Sequence, residues 1–94
     1  MRKQEINNEI AKKSHINIAI TETIIETFMS TIKEQLLNKK AIHLRGFGNF
    51  YLKKKGAKKA RIIRKNIQII IPEHYAPVFK PSKRFRDMVK KNIK

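Results

Sequence analysis

The stretch Lys53–Ile71, KKKGAKKARIIRKNIQIII, limits the folds open to this chain more than any other. Its first thirteen positions hold eight cations and no acid: Lys53, Lys54, Lys55, Lys58, Lys59, Arg61, Arg64 and Lys65. A packed interior cannot take that much like charge unpaired, because stripping water from each cation is too costly. Yet Ile62, Ile63, Ile67, Ile69, Ile70 and Ile71 are interleaved with the charges and follow them, and a disordered basic tail is poor in such residues. The combination predicts a β-ribbon that leaves the body of the protein, cationic at its base and apolar near its tip. A solvated basic loop between two strands is the plainer reading, and the rest of the chain decides between them.

A chain of 94 residues predicts one domain. At this size folding buries only about 60–65% of the unfolded surface, so a partner chain would help, the more so if an arm contributes nothing to the core. The net charge of +16 calls for a polyanionic partner. It is unevenly placed. Residues 1–50 hold eight Lys or Arg against five acids, whereas residues 51–94 hold fifteen against two, so the second half is expected to build the binding surface. The absence of cysteine excludes a disulfide framework and a thiolate metal site, and fits an intracellular protein. MRKQEINNEI lacks the apolar run of a signal peptide, and no stretch is long and apolar enough to span a membrane.

Taken in order, residues 3–13 place Ile6, Ile10 and Ala11 on one face of a short helix, and Ser14–Asn17 reads as a turn with Asn17 as N-cap. From Ile18 to about Asn38, Ile20, Ile24, Phe28, Ile32 and Leu36 recur every four residues, with Ile25 and Met29 widening the stripe. So wide an apolar face on a small domain predicts helix packing across a dimer. A short strand over Ala41–Leu44 leads to Arg45-Gly46-Phe47-Gly48, a tight turn that folds Phe47 into the core, and Phe50 and Leu52 open the next strand. Gly56 suits a bend in the arm and Asn66 its turn. Pro72 ends the regular ribbon, and Pro77 is expected to interrupt the returning strand. Phe79 reads as core, and Ser82 as the N-cap of a last helix with Phe85, Met88 and Val89 on its apolar face. Lys80, Lys83, Arg84 and Arg86 crowd the start of that helix, against its dipole, and phosphate contact accounts for them.

LRGFGNF, Leu44 to Phe50, and FKPSKRFRDMV, Phe79 to Val89, resemble the bacterial HU and integration host factor family of histone-like DNA-bending proteins. The apolar positions of the helices fall in step, and the resemblance covers essentially the whole chain. It implies an α+β fold: an N-terminal helical hairpin, a three-stranded antiparallel sheet with a long β-ribbon arm, and a short C-terminal helix, in an intertwined homodimer. One HU-like domain would fill residues 1–94, with 1–40 as the helical dimerisation part, 41–81 as sheet and arm (the arm about 53–71) and 82–94 as the last helix. Phe28, Ile32, Leu36, Leu44, Phe47, Phe50 and Phe79 would be core or dimer residues. Carried over by position, the phosphate contacts would be Lys3, Lys53, Lys55, Lys58, Arg61, Lys80 and Lys83, and Lys54, Lys59, Arg64, Lys65, Arg84 and Arg86 are expected to join them on the DNA-binding surface. At the arm tip the family shows a proline that wedges between base pairs, and Ile63 stands there in this chain, preceded by Ile62. Isoleucine is among the apolar wedges used by minor-groove binders, a group that includes this family.

The expected function is therefore architectural. Phosphate contacts and minor-groove arms would bind double-stranded DNA with little sequence preference, bending or compacting it in the cytoplasmic nucleoid. An RNA-binding or ribosome-associated role is the alternative, since counterion release acts on any polyanion. However, no exposed aromatic pair suits stacking on single strands. Self-assembly through the isoleucine-rich strand is a third reading. The acids are scattered and the three histidines stand singly, so neither an enzyme, a metal site, a cofactor nor a small-molecule substrate is expected.

Overall fold

In a computed structural model, residues 1–62 and 67–93 are described. The element order is α1 (Lys3–Ser14), α2 (Ile18–Leu37), β1 (Ile42–Leu44), β2 (Gly48–Lys55), β3 (Lys58–Ile62), β4 (Ile67–Ile71), β5 (His74–Pro81) and α3 (Lys83–Asn92). Contacts divide the chain into two compact units, Met1–Gln35 and Leu36–Lys94.

In the first unit the two helices meet through polar groups. Helix α1 ends because His15 turns left-handed, at φ 56°, and the Ile16 N–H then closes onto the Ala11 carbonyl at 3.1 Å. Asn17 starts α2 as expected, its side-chain oxygen accepting from the Ala19 N–H at 2.7 Å. Thr21, Thr23 and Thr31 donate their hydroxyls to carbonyls four residues back, which reconciles them with a helix interior. Lys3 pairs with Glu26 across the helices, and Gln4 donates to Glu22 at 3.3 Å. The side chains shut away most completely here are Asn7 and Thr21, both polar, while Ile20, Ile24 and Phe28 stay 55%, 52% and 46% exposed. The expected apolar stripe exists, but among the described residues its Ile20, Ile24 and Phe28 are left open, while Ile25, Met29 and Ile32 are partly buried.

In the second unit β2 is the centre of an antiparallel sheet ordered β1-β2-β5. Two glycines shape its entry. Gly46 takes φ +81°, which a side chain resists, and the Phe47 N–H bonds back to Leu44 at 3.0 Å. Gly48 is buried opposite Pro81, where backbone and the Phe79 ring leave no room for a Cβ. The turn brings the Phe47 ring to 5.0 Å from Phe79 and 5.7 Å from Phe85, while Phe50 lies 4.9 Å from Phe79, its partner in the register. This aromatic cluster is the apolar centre of the unit, yet Phe47 is 46% and Phe79 36% exposed. Phe47 therefore lies against its neighbours rather than inside a closed core, because a three-stranded sheet and one ten-residue helix have too little surface to wrap it. Leu36 is buried in this unit, and Leu44 and Phe50 are partly so.

Two sequence expectations are corrected in this unit. Pro77 does not interrupt the returning strand, since β5 pairs with β2 continuously from His74 to Pro81 with Pro77 opposite Leu52. An edge strand needs ladder bonds on one side only, and β5 is such a strand. The arm is likewise not one ribbon over 53–71. Lys53–Lys55 end β2 in the three-stranded sheet; pairing stops after Lys55↔His74 and resumes at Lys58↔Ile71 in a separate two-stranded sheet, β3 with β4. Gly56-Ala57 and Pro72-Glu73 form the break, one pair on each strand. Proline has no N–H for a ladder and glycine bends at little cost, so the two sequence signals fall at the same level of the ribbon.

Candidate nucleic-acid interface

Alternation along β2 puts Lys53 and Lys55 on the face of Tyr51, opposite the face that carries Phe50 and Leu52. Both are exposed, with Ala76 and His74 as cross-strand partners. Lys58 opens β3 beyond the break, also exposed and opposite Ile71. The backbone of Lys59, Arg61 and Ile62 continues β3, in register with Ile70, Gln68 and Ile67. Ile63, the candidate wedge, together with Arg64, Lys65 and the expected turn residue Asn66, lies outside the described residues. On β4, Ile69 is 40% and Ile70 70% exposed, so apolar groups do stand among the cations of the arm.

At the other end of the sheet Lys80 lies opposite Asn49 on β5, exposed, and leads into α3. Ser82 caps that helix by accepting from the Phe85 N–H at 3.1 Å, and its own N–H donates to the Phe47 carbonyl at 2.9 Å. The aromatic turn and the helix start are thereby tied together. Lys83, Arg84 and Arg86 follow in the first turn, all exposed and with no acidic residue beside them in that turn. Such a cluster leaves several cations free for phosphate oxygens.

Lys3 belongs to the first unit and is already engaged. Its ammonium beside Glu26, hydrogen-bonded to it, holds that carboxyl below its ordinary value. Lys54 is engaged as well, with its Nζ 2.6 Å from Glu73 Oε1, on the face of β2 away from Lys53 and Lys55. Two further features of the arm base went unforeseen from sequence. The Lys39 Nζ sits 5.1 Å from the centroid of the Tyr75 ring, and His74 Nδ1 donates to the Pro72 carbonyl at 2.9 Å. Glu73 had one visible signal, as the sole acid between Glu34 and Asp87. Among the described residues no group of three His, Cys, Asp or Glu side chains is placed to hold a metal ion, and no helix is long and apolar enough to cross a membrane.

The chain is similar to several known proteins. A family model described as "Bacterial DNA-binding protein" matches residues 1–90. DNA-binding protein HU of Thermotoga maritima is 33% identical over 90 residues, covering 96% of this chain and all of that protein. The integration host factor subunit beta of Halorhodospira halophila is 33% identical, over 95% of this chain and 88% of its own length. Among solved structures, an Anabaena HU–DNA cocrystal superposes with a TM-score of 0.89 at 27% identity, covering 95% of this chain and 97% of that one. The chain belongs to the HU and integration host factor family of bacterial DNA-binding proteins.

Proposed function

We propose that this protein is an architectural, histone-like component of the nucleoid that binds double-stranded DNA with little sequence preference and bends or compacts it. The carrying observation is the placement of exposed Lys53 and Lys55 on one face of β2, with exposed Lys58 opening the two-stranded sheet that follows. An extended ribbon of this kind fits a groove, and its cations replace counterions along the phosphates. Arg61 and Arg64 would meet a minor groove whose donor and acceptor pattern is degenerate, hence the weak sequence preference. Lys80, Lys83, Arg84 and Arg86 add backbone contacts from the body, and Ile62 and Ile63 serve as the wedge where the family has proline.

The binding unit is a homodimer of one HU-like domain per chain. The exposed faces of Ile20, Ile24 and Phe28, with Phe47 half exposed, support this, because large apolar groups left open on so small a protein need a cover. A twofold assembly would also present two arms, one for each side of a bent duplex.

The test is end-to-end fluorescence transfer on a labelled duplex of roughly 35 base pairs, titrated with protein at about 50 and 200 mM salt. With roughly six to eight phosphate contacts, affinity should fall about 10³-fold or more between those conditions, and transfer should rise on binding. Salt-sensitive binding without that rise would mean coating rather than bending. Equal affinity for single-stranded RNA would overturn the duplex reading.

A further inference from the structure

We infer that Glu73 is a positioning residue of the arm base, which holds Lys54 away from the DNA backbone; this rests on the duplex-binding reading above. Within Lys53-Lys54-Lys55, the outer two lysines share one face of β2 and Lys54 takes the other. On that other face the sole acid between Glu34 and Asp87 meets it at 2.6 Å. Glu73 lies in the break of the ribbon, between the end of β4 and the start of β5, so the pair ties β2 to the opposite strand at the level where the ladder stops. The same strand is fastened once more by the His74 Nδ1 donation to Pro72. Across from it, a Cβ at Gly56 would meet nothing within 4 Å, so the Gly56 side of the break is open and the Glu73 side is pinned.

A lysine has three N–H donors but one charge, and a charge already matched by a close carboxylate releases fewer counterions from a phosphate. By holding Lys54, Glu73 sets how many cations the arm base commits. Lys53 and Lys55 reach the duplex, whereas Lys54 fixes the geometry from which they reach. Both members of the pair are more than half exposed, and an exposed pair adds little to stability. Its effect should therefore appear in binding and leave melting almost untouched.

The experiment measures the affinity of the full chain for a duplex of roughly 35 base pairs against salt, for the wild type, Glu73→Gln, Lys54→Met and the double variant. Glu73→Gln should release Lys54, steepening the logarithmic salt slope by about 0.9 per site and tightening binding roughly eightfold per site at about 0.1 M salt. Lys54→Met should leave the slope of the wild type unchanged, and the double variant should show no gain in slope. A slope that falls in Lys54→Met alone would overturn the proposal, since Lys54 would then be a phosphate ligand. So would a gain from Glu73→Gln that persists without Lys54, because Glu73 would then act by plain repulsion. A wild type that lacks salt-steep duplex binding would instead sink the functional reading itself.

Discussion

A Cβ on Gly48 would stand 2.6 Å from the Lys80 carbonyl oxygen and equally close to two atoms of the Phe79 ring. The carbonyl belongs to the neighbouring strand and cannot yield without breaking the register that carries Lys80. Gly48→Ala should therefore cost on the order of 2 kcal/mol or more, read as a lower thermal midpoint. The Lys3–Glu26 pair acts at the same scale, through pH. The folded-state pKa of Glu26 is depressed, so the contribution is present above the ordinary value of 4.5 and is lost as pH falls through the lower folded value. Both partners are more than half exposed, so the contribution is small, and melting followed from neutral pH into that acid range should lose only a slight part of its pH dependence in Glu26→Gln; a large change would mean that Glu26 has a role beyond the pair. Individual caps were legible in sequence: Asn17 and Ser82 act through neighbours two and three residues on. The partners of Lys54 and Lys3 were not, because each lies across a fold contact that no local spacing encodes.

The β2–arm continuation is the element on which the proposed DNA binding rests. Lys53 and Lys55 sit on one face of an ordered strand, so replacing both with Met should flatten the salt slope by about 1.8 per site and weaken binding to every sequence alike. A loss confined to one sequence would mean base readout. The strand pattern and its glycine turn could be read in advance because alternation and GFG are local signals. Where the ribbon divides could not. Gly56 and Pro72 each announced a disturbance, but their coincidence at one level follows from the pairing Lys55↔His74 and Lys58↔Ile71, a register set by the whole sheet. Pro77 was misjudged for a related reason, since its tolerance depends on β5 being an edge.

At the scale of the molecule, apolar surface outruns what one chain can cover. The periodicity of α2 foretold a wide apolar face, and Ile20, Ile24 and Phe28 on it stay about half exposed among the described residues. If two copies supply it, unfolding is coupled to dissociation, and the thermal midpoint should rise with protein concentration over a hundredfold range, in step with a dimer mass in sedimentation. A midpoint independent of concentration would mean that each chain folds alone. What sequence could not foretell was that Asn7 and Thr21 would be the most enclosed side chains of the helical unit. Both fall outside the apolar stripe by type, and only the meeting of the helices buries them.

The separate sheet of β3 and β4 also has a bearing on how the protein survives in a cell. An isolated pair of strands is at best marginally stable in water. Residues 58–62 and 67–71 should then exchange their amide hydrogens well before those of β2 and β5, as a small cooperative unit of their own. That unit is also rich in the lysine and arginine that trypsin cleaves after, so brief digestion should clip the arm and spare the body. Bound duplex should shield those bonds. The same lysines would then make the arm the part of the protein most easily lost when DNA is scarce and most secure when it is occupied.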